Sequence, residues 1–187
     1  MTLTTLDPKT ALIAVDLQKG IVARPSAHPI EEVVARVRAL AEAFRARGLP
    51  VVQVNVAGGA PGRTEQPRPA AGSLPDGWTD LLPELDRQPG DHLVTKRTPG
   101  AFTNTGLETH LKALGVTEVV LAGIATSNGV EVTARQAFEL GFNVAFATDA
   151  MTDQRADAHD WSVTRVFPRI GETGATGEII ELLGKGG

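Results

Sequence analysis

The 187-residue chain contains no cysteine. That excludes disulfides, thiolate metal sites and thiol catalysis. Tyrosine is also absent, and the aromatic side chains amount to six Phe and two Trp. The core must therefore be mostly aliphatic, which suits the two-sided burial of a parallel sheet. No apolar run approaches the roughly 20 residues that cross a bilayer, so no membrane partner is expected. The N-terminal MTLTTLDPKTALIAVDLQ has no basic segment followed by a long apolar one, so no signal peptide is read and the cytoplasm is the expected location. There is no excess of basic charge: the net charge is −4, which argues against a nucleic-acid partner. No GxGxxG follows a strand and no GxxxxGK[ST] occurs, so no nucleotide cofactor is expected. The acidic run around Asp153, Asp157, His159 and Asp160 matches no strong ligand spacing. It reads as a solvated helix start rather than a metal centre.

What is present is an alternation of short apolar runs with helical patterns, the signature of βαβ units. The length fits one domain, residues 1–187, with a sizeable core. Strands are expected at Ala11–Val15, Pro50–Val56, His92–Thr95, Glu118–Gly123 and Asn143–Ala150, with a short one near Pro168–Glu172. In the helix after the first strand, Val33, Val34, Val37, Leu40, Ala41 and Phe44 recur at helical spacing, and Gly48 ends it. Further helices are expected over Thr103–Gly115 (capped by Thr103 or Asn104), Val130–Gly141, Arg155–Phe167 and Gly177–Leu183. Trp161, Val163, Val166 and Phe167 are the apolar anchors of the fourth of these five helices. The Gly- and Pro-rich stretch Ala57–Gly77 is long enough to be a lid or partner arm, or simply a surface loop. This order gives an α/β fold, a three-layer α/β/α sandwich around a mostly parallel sheet.

In such sheets ligands bind beyond the carboxyl ends of the strands. Three polar positions fall there from three different strands: Asp16, Lys96 and the turn Thr126–Gly129. Singly, each has a bland reading, as a cap, a surface cation or a helix start. Together they form a candidate site. A carboxylate at the rim of an apolar sheet is partly desolvated, which raises its pKa toward values useful in proton transfer. Lys96 would tune it or hold a substrate's negative charge, and Arg97 offers a second cation. The backbone N–H groups at the helix start favour an anion or oxyanion. Thr126 and Ser127 offer hydroxyls, but none of His28, His92, His110 and His159 falls at a carboxyl strand end. A Ser-His-Asp arrangement is therefore not expected.

Three segments carry a resemblance to the isochorismatase-like hydrolase superfamily: ALIAVDLQKG, VTKRTPGAFTNTGLETHLKALGVTEVVLAG and GIATSNGVEVTARQAFELGFNVAFATDAM. The resemblance runs from about Lys9 to Leu183. It implies catalytic roles for Asp16 and Lys96, with Gly129 at the position where amidase members carry the nucleophilic Cys. It also implies a non-proline cis peptide near Ile124–Ala125 and a homodimer or higher homo-oligomer. Isochorismatases, which also have Gly there, cleave a vinyl ether by proton transfer from the Asp, with no covalent intermediate and no cofactor. The metal ligands of nicotinamidases have no match in Val56–Gly77. The resemblance thus implies a cofactor-free hydrolase of a small, carboxylated molecule, with Gln18, Phe102, Ala125, Thr126 and Asn128 contacting substrate. The flanks of Gly129, Asn128 and Val130, depart from the His and Cys usual in isochorismatases, so the substrate itself is not implied. A degenerate member that binds a ligand or partner without turnover, and amide hydrolysis by activated water, are the other readings.

Overall fold

The computed structural model describes residues 3–65 and 74–185. Six strands form one sheet in the order β3-β2-β1-β4-β5-β6, and every neighbouring pair is parallel. They are β1 (Thr10–Val15), β2 (Val51–Val56), β3 (His92–Lys96), β4 (Glu118–Ile124), β5 (Asn143–Thr152) and β6 (Glu172–Gly174). The helices are α1 (Lys19–Val22), α2 (Ile30–Ala46), α3 (Leu107–Ala113), α4 (Glu131–Glu139), α5 (Ala156–Trp161) and α6 (Thr176–Lys185). The order of strands reverses between β1 and β4, and the crevice at their carboxyl ends is where such folds bind ligands.

Alternation along β1 divides the core into two layers. Ala11, Ile13 and Val15 face one side with Leu107 and Leu111 of α3, Ala134 and Ala137 of α4, and Phe167. Leu12 and Ala14 face the other, with the Val33, Val37, Leu40 and Phe44 stripe of α2 and with Ile179 and Leu183 of α6. The three-layer sandwich follows from these two apolar faces. The six apolar positions expected to anchor α2 are all buried.

The local differences have physical causes. β5 runs to Thr152 rather than stopping at Ala150, because its register with β4 slips between Leu121↔Phe146 and Gly123↔Met151. The slip puts three extra residues into β5 and delivers Asp153 to the end of the sheet. The expected Arg155–Phe167 helix is α5, a π-helical turn over Ser162–Val166 and a 3-10 turn over Phe167–Arg169. The changed winding leaves Trp161 64% exposed while Phe167 is fully buried, so Trp161 is not an anchor. α3 starts at Leu107 behind Gly106, not at Thr103 or Asn104. Gly123 has φ +113°, and a β-carbon there would overlap the Val15 backbone. A side chain at that position would push β1 and β4 apart. The middle of the Ala57–Gly77 stretch, 66–73, lies outside the described residues.

Candidate active site

Asp16 is the first residue beyond β1, and its φ of +54° lies in the left-handed region. Non-glycine residues adopt that region at a cost, which Asp tolerates better than most and which is often met at functional sites. The turn aims the carboxyl group at Lys96, the last residue of β3, with Oδ2 and Nζ 2.8 Å apart. Lys96 is 1% exposed, and it also donates to the Pro99 carbonyl. Oδ1 of Asp16 is buried and has no hydrogen-bond partner. Burial raises the Asp16 pKa to about 6, and the Lys96 charge and hydrogen bond only partly offset it. A carboxyl group poised there changes protonation near neutral pH, as a general acid or base must.

The third element follows β4. The Ile124–Ala125 peptide is cis, and the chain then enters a π-helical turn over Thr126–Val130 that runs into α4. Ser127 donates from both its backbone N–H and its hydroxyl to Oδ2 of Asp153, at 2.8 and 2.7 Å. Asp153 thereby caps the turn. The Gly129 carbonyl accepts the Thr133 hydroxyl at 2.6 Å, and that hydroxyl accepts the Ala101 N–H at 3.1 Å. Gln136 accepts the Phe102 N–H and donates to Thr103. α4 thus holds the segment whose Pro99 carbonyl restrains Lys96.

These groups open onto a cavity of about 750 Å³, within the range of small-molecule sites. Asp16, Lys96, Gly129, Ala125 and Asn128 line it, as do Arg24, Trp78, Ser127 and Asp153. Three expected substrate contacts lie elsewhere. Gln18 is fully buried. Its amide donates to the carbonyls of Val56 and Trp78 and accepts the Val56 N–H, so it ties the chain before Asp80 to the end of β2. Thr126 is fully buried on the far side of the turn, 2.8 Å from Nδ1 of His159. Phe102 packs into the core beside Phe142. Arg97 hydrogen-bonds the Ala57 carbonyl and does not line the cavity.

Two histidines do reach this end of the sheet, contrary to expectation. His28 meets the Thr152 hydroxyl at 3.0 Å, and its ring lies 4.6 Å from that of His159, edge to face. Burial, then the neighbouring His28, lowers the His159 pKa. His159 bonds Thr126 rather than Ser127, so the pair braces the turn from behind and supplies no base to the cavity. Among the described residues no three His, Asp or Glu side chains gather to hold a metal ion.

The sequence matches the isochorismatase domain model over residues 10–178. It is 41% identical over 182 residues to the isochorismatase family protein YwoC of Bacillus subtilis, covering 92% of this chain and 93% of that one. It is 39% identical over 181 residues to YecD of Escherichia coli O157:H7, another isochorismatase family protein, covering 93% and 96%. The solved structure of an isochorismatase family protein from Burkholderia thailandensis superposes with a TM-score of 0.91 at 40% identity, covering 96% of this chain and 98% of that one.

Proposed function

The chain belongs to the isochorismatase family, whose members are hydrolases, and from that premise we propose that it cleaves a small carboxylated substrate by acid catalysis from Asp16. One observation carries the reading. The Asp16 carboxyl group is buried, has an unpartnered oxygen and a pKa near 6, and stands beside a residue with no side chain. With no cysteine in the chain, no thioester forms. The chemistry that fits is hydrolysis of a vinyl ether. Asp16 transfers its proton to the alkene carbon, leaving an oxocarbenium ion and a carboxylate facing Lys96. Water adds to the oxocarbenium carbon and returns a proton to Asp16. The hemiketal then collapses to a carbonyl compound and an alcohol. Lys96 offsets the charge that develops on Asp16, and the same ammonium group keeps the carboxyl from staying fully protonated at neutral pH.

Turnover of a panel of isochorismate, simpler vinyl ethers and small amides tests this, comparing the wild type with Asp16→Asn. Loss of a general acid is expected to lower turnover about 10²- to 10⁴-fold. The pH dependence separates acid from base. Asp16 acting as an acid must be protonated, so kcat/KM falls as pH rises through about 6. Activation of water for amide hydrolysis needs the carboxylate, and kcat/KM would then rise through the same range. Binding without turnover of any panel member would favour the degenerate reading. An idle buried ion pair brings little stability, so its retention supports an active site.

A further inference from the structure

Among the described residues, four charged side chains line the cavity: Asp16, Arg24, Lys96 and Asp153. Three are engaged. Asp16 and Lys96 pair at 2.8 Å, and Asp153 accepts the two Ser127 donors. Arg24, exposed on the turn after α1, has no side-chain partner among the described residues. A free guanidinium facing a cavity whose one other described cation is already paired makes that rim the preferred resting place of an anion.

We propose that Arg24 is the specificity residue of this site, gripping the carboxylate of a monoanionic substrate while the substrate's other end lies against Asp16. This names the substrate class for the activity proposed above and rests on it only for which end faces inward. The planar guanidinium fork matches a carboxylate bidentately. A dianion such as a phosphate monoester would find, among the described residues, one free cation and would meet Asp16 and Asp153 as well. The rest of the wall is largely apolar, with Ile21, Val56, Trp78 and Ile124 facing the same space. Trp78 lies against Gly20, where a β-carbon would overlap the indole. The ring is therefore seated on α1, the element that carries Arg24 at its end. An anchor for the carboxylate and a flat apolar surface beside it fit a compact, planar, unsaturated monocarboxylate.

Trp78 is the natural reporter. In a Trp161→Phe background it is the sole tryptophan, since the chain has two. Trp161 is 64% exposed and does not line the cavity. The probes are benzoate and its neutral isostere benzamide, titrated by tryptophan fluorescence. Benzoate is expected to give a saturable change. Arg24→Gln is expected to weaken benzoate about ten- to hundredfold, the scale of a charge-assisted pair, and to leave benzamide unaffected, with Arg24→Lys in between. With any panel substrate that turns over, Arg24→Gln raises KM and leaves kcat near the wild-type value. No saturable response to benzoate, unchanged benzoate affinity in Arg24→Gln, or equal losses for both probes overturns the proposal. Arg24 is exposed and unpaired, so the variant has no reason to misfold. Repeating the titration in Asp16→Asn keeps the two ideas separate. Binding that still depends on Arg24 stands even if Asp16 is shown not to be the acid.

Discussion

A β-carbon at residue 129 would lie 3.0 Å from Oδ2 of Asp16 and 3.2 Å from both the Ile124 carbonyl oxygen and Cγ1 of Val15. Gly129 has none of the positive φ that demands glycine, so what the position requires is room. The empty volume lies against the reactive carboxyl group, where a substrate atom must come to take its proton. Gly129→Ala is therefore expected to damage chemistry more than folding. Alanine gains about 1 kcal/mol of helix preference over glycine, which offsets crowding of similar size. The melting temperature should stay within a few degrees of the wild type. kcat should fall at least about tenfold as the Asp16 carboxyl is displaced and the space beside it filled. Full activity in Gly129→Ala, measured on a substrate that Asp16→Asn no longer turns over, would show that the space is not used. Asp16 and Lys96 could be placed at strand ends from the sequence, the first after the apolar run Ala11–Val15 and the second after the short strand expected at His92–Thr95, whereas Gly129 was singled out only by the family resemblance. Gln18, Thr126 and Phe102, expected to contact substrate, do not line the cavity, because a strand end fixes where a residue sits but not where its side chain points. The left-handed turn at Asp16 precedes the buried Gln18, the wide first turn after β4 buries Thr126, and Gln136 of α4 holds the Phe102 backbone where its ring packs by Phe142. Arg24 was missed because α1 is four residues long and shows no periodicity to place it.

The turn between β4 and α4 is the element on which the site depends. It is held at its start by Asp153, from behind by His159 through Thr126, and at its end by Thr133 through the Gly129 carbonyl. The first five strands and the α2 stripe were readable from apolar runs and helical spacing, since local pattern and burial agree there. β6 was expected near Pro168–Glu172 and lies at Glu172–Gly174, because Phe167–Arg169 winds into a 3-10 turn and the strand that follows, ETG, has no apolar run to mark it. The register slip in β5 was not, because nothing in the local sequence marks it, and the slip is what brings Asp153 to the turn. Ser127 and Asp153 together resemble a nucleophile and its base. Both N–H and O–H of Ser127 reach the same carboxylate oxygen, which is the geometry of a cap. Two substitutions separate the roles. Asp153→Ala is expected to lower stability by about 1–2 kcal/mol, the value of a capping interaction, read as a shifted denaturation midpoint at unchanged slope. Ser127→Ala is expected to cost less than about 1 kcal/mol and to change kcat by no more than a few-fold. A collapse of kcat to the level of Asp16→Asn would make Ser127 the nucleophile instead.

Across the whole molecule, the two ends of β4 carry opposite consequences of burying a carboxyl group. At its carboxyl end the raised pKa of Asp16 suits the proton transfer proposed above. At its start, Glu118 is 5% exposed, and burial raises its pKa to about 7, with the Asp7 charge adding to the rise and the Asp7 N–H opposing it. That hydrogen bond, to Oε2 at 2.7 Å, is the reason for a polar side chain there. No group on the opposite side of the ledger neutralises the charge, because among the described residues Glu118 has no ion-pair partner. A carboxyl group whose folded pKa exceeds its unfolded value contributes stability that is complete below the unfolded value and is lost as pH rises through the folded one. For Asp16 that loss runs from about 4 to 6, and for Glu118 from about 4.5 to 7. Between pH 6 and 8 the remaining decline therefore belongs mainly to Glu118. Glu118→Gln removes the ionisation and keeps an acceptor for the Asp7 N–H. The variant should match the wild type within about 1 kcal/mol at pH 4.5 and exceed it by about 1–2 kcal/mol at pH 8. At this chain length that is a gain of roughly 2–8 °C in melting temperature. Melting curves at closely spaced pH values test it: the wild-type curve should keep falling above pH 6 while that of Glu118→Gln flattens. Parallel curves would mean that Glu118 ionises in the folded protein as freely as in the unfolded chain.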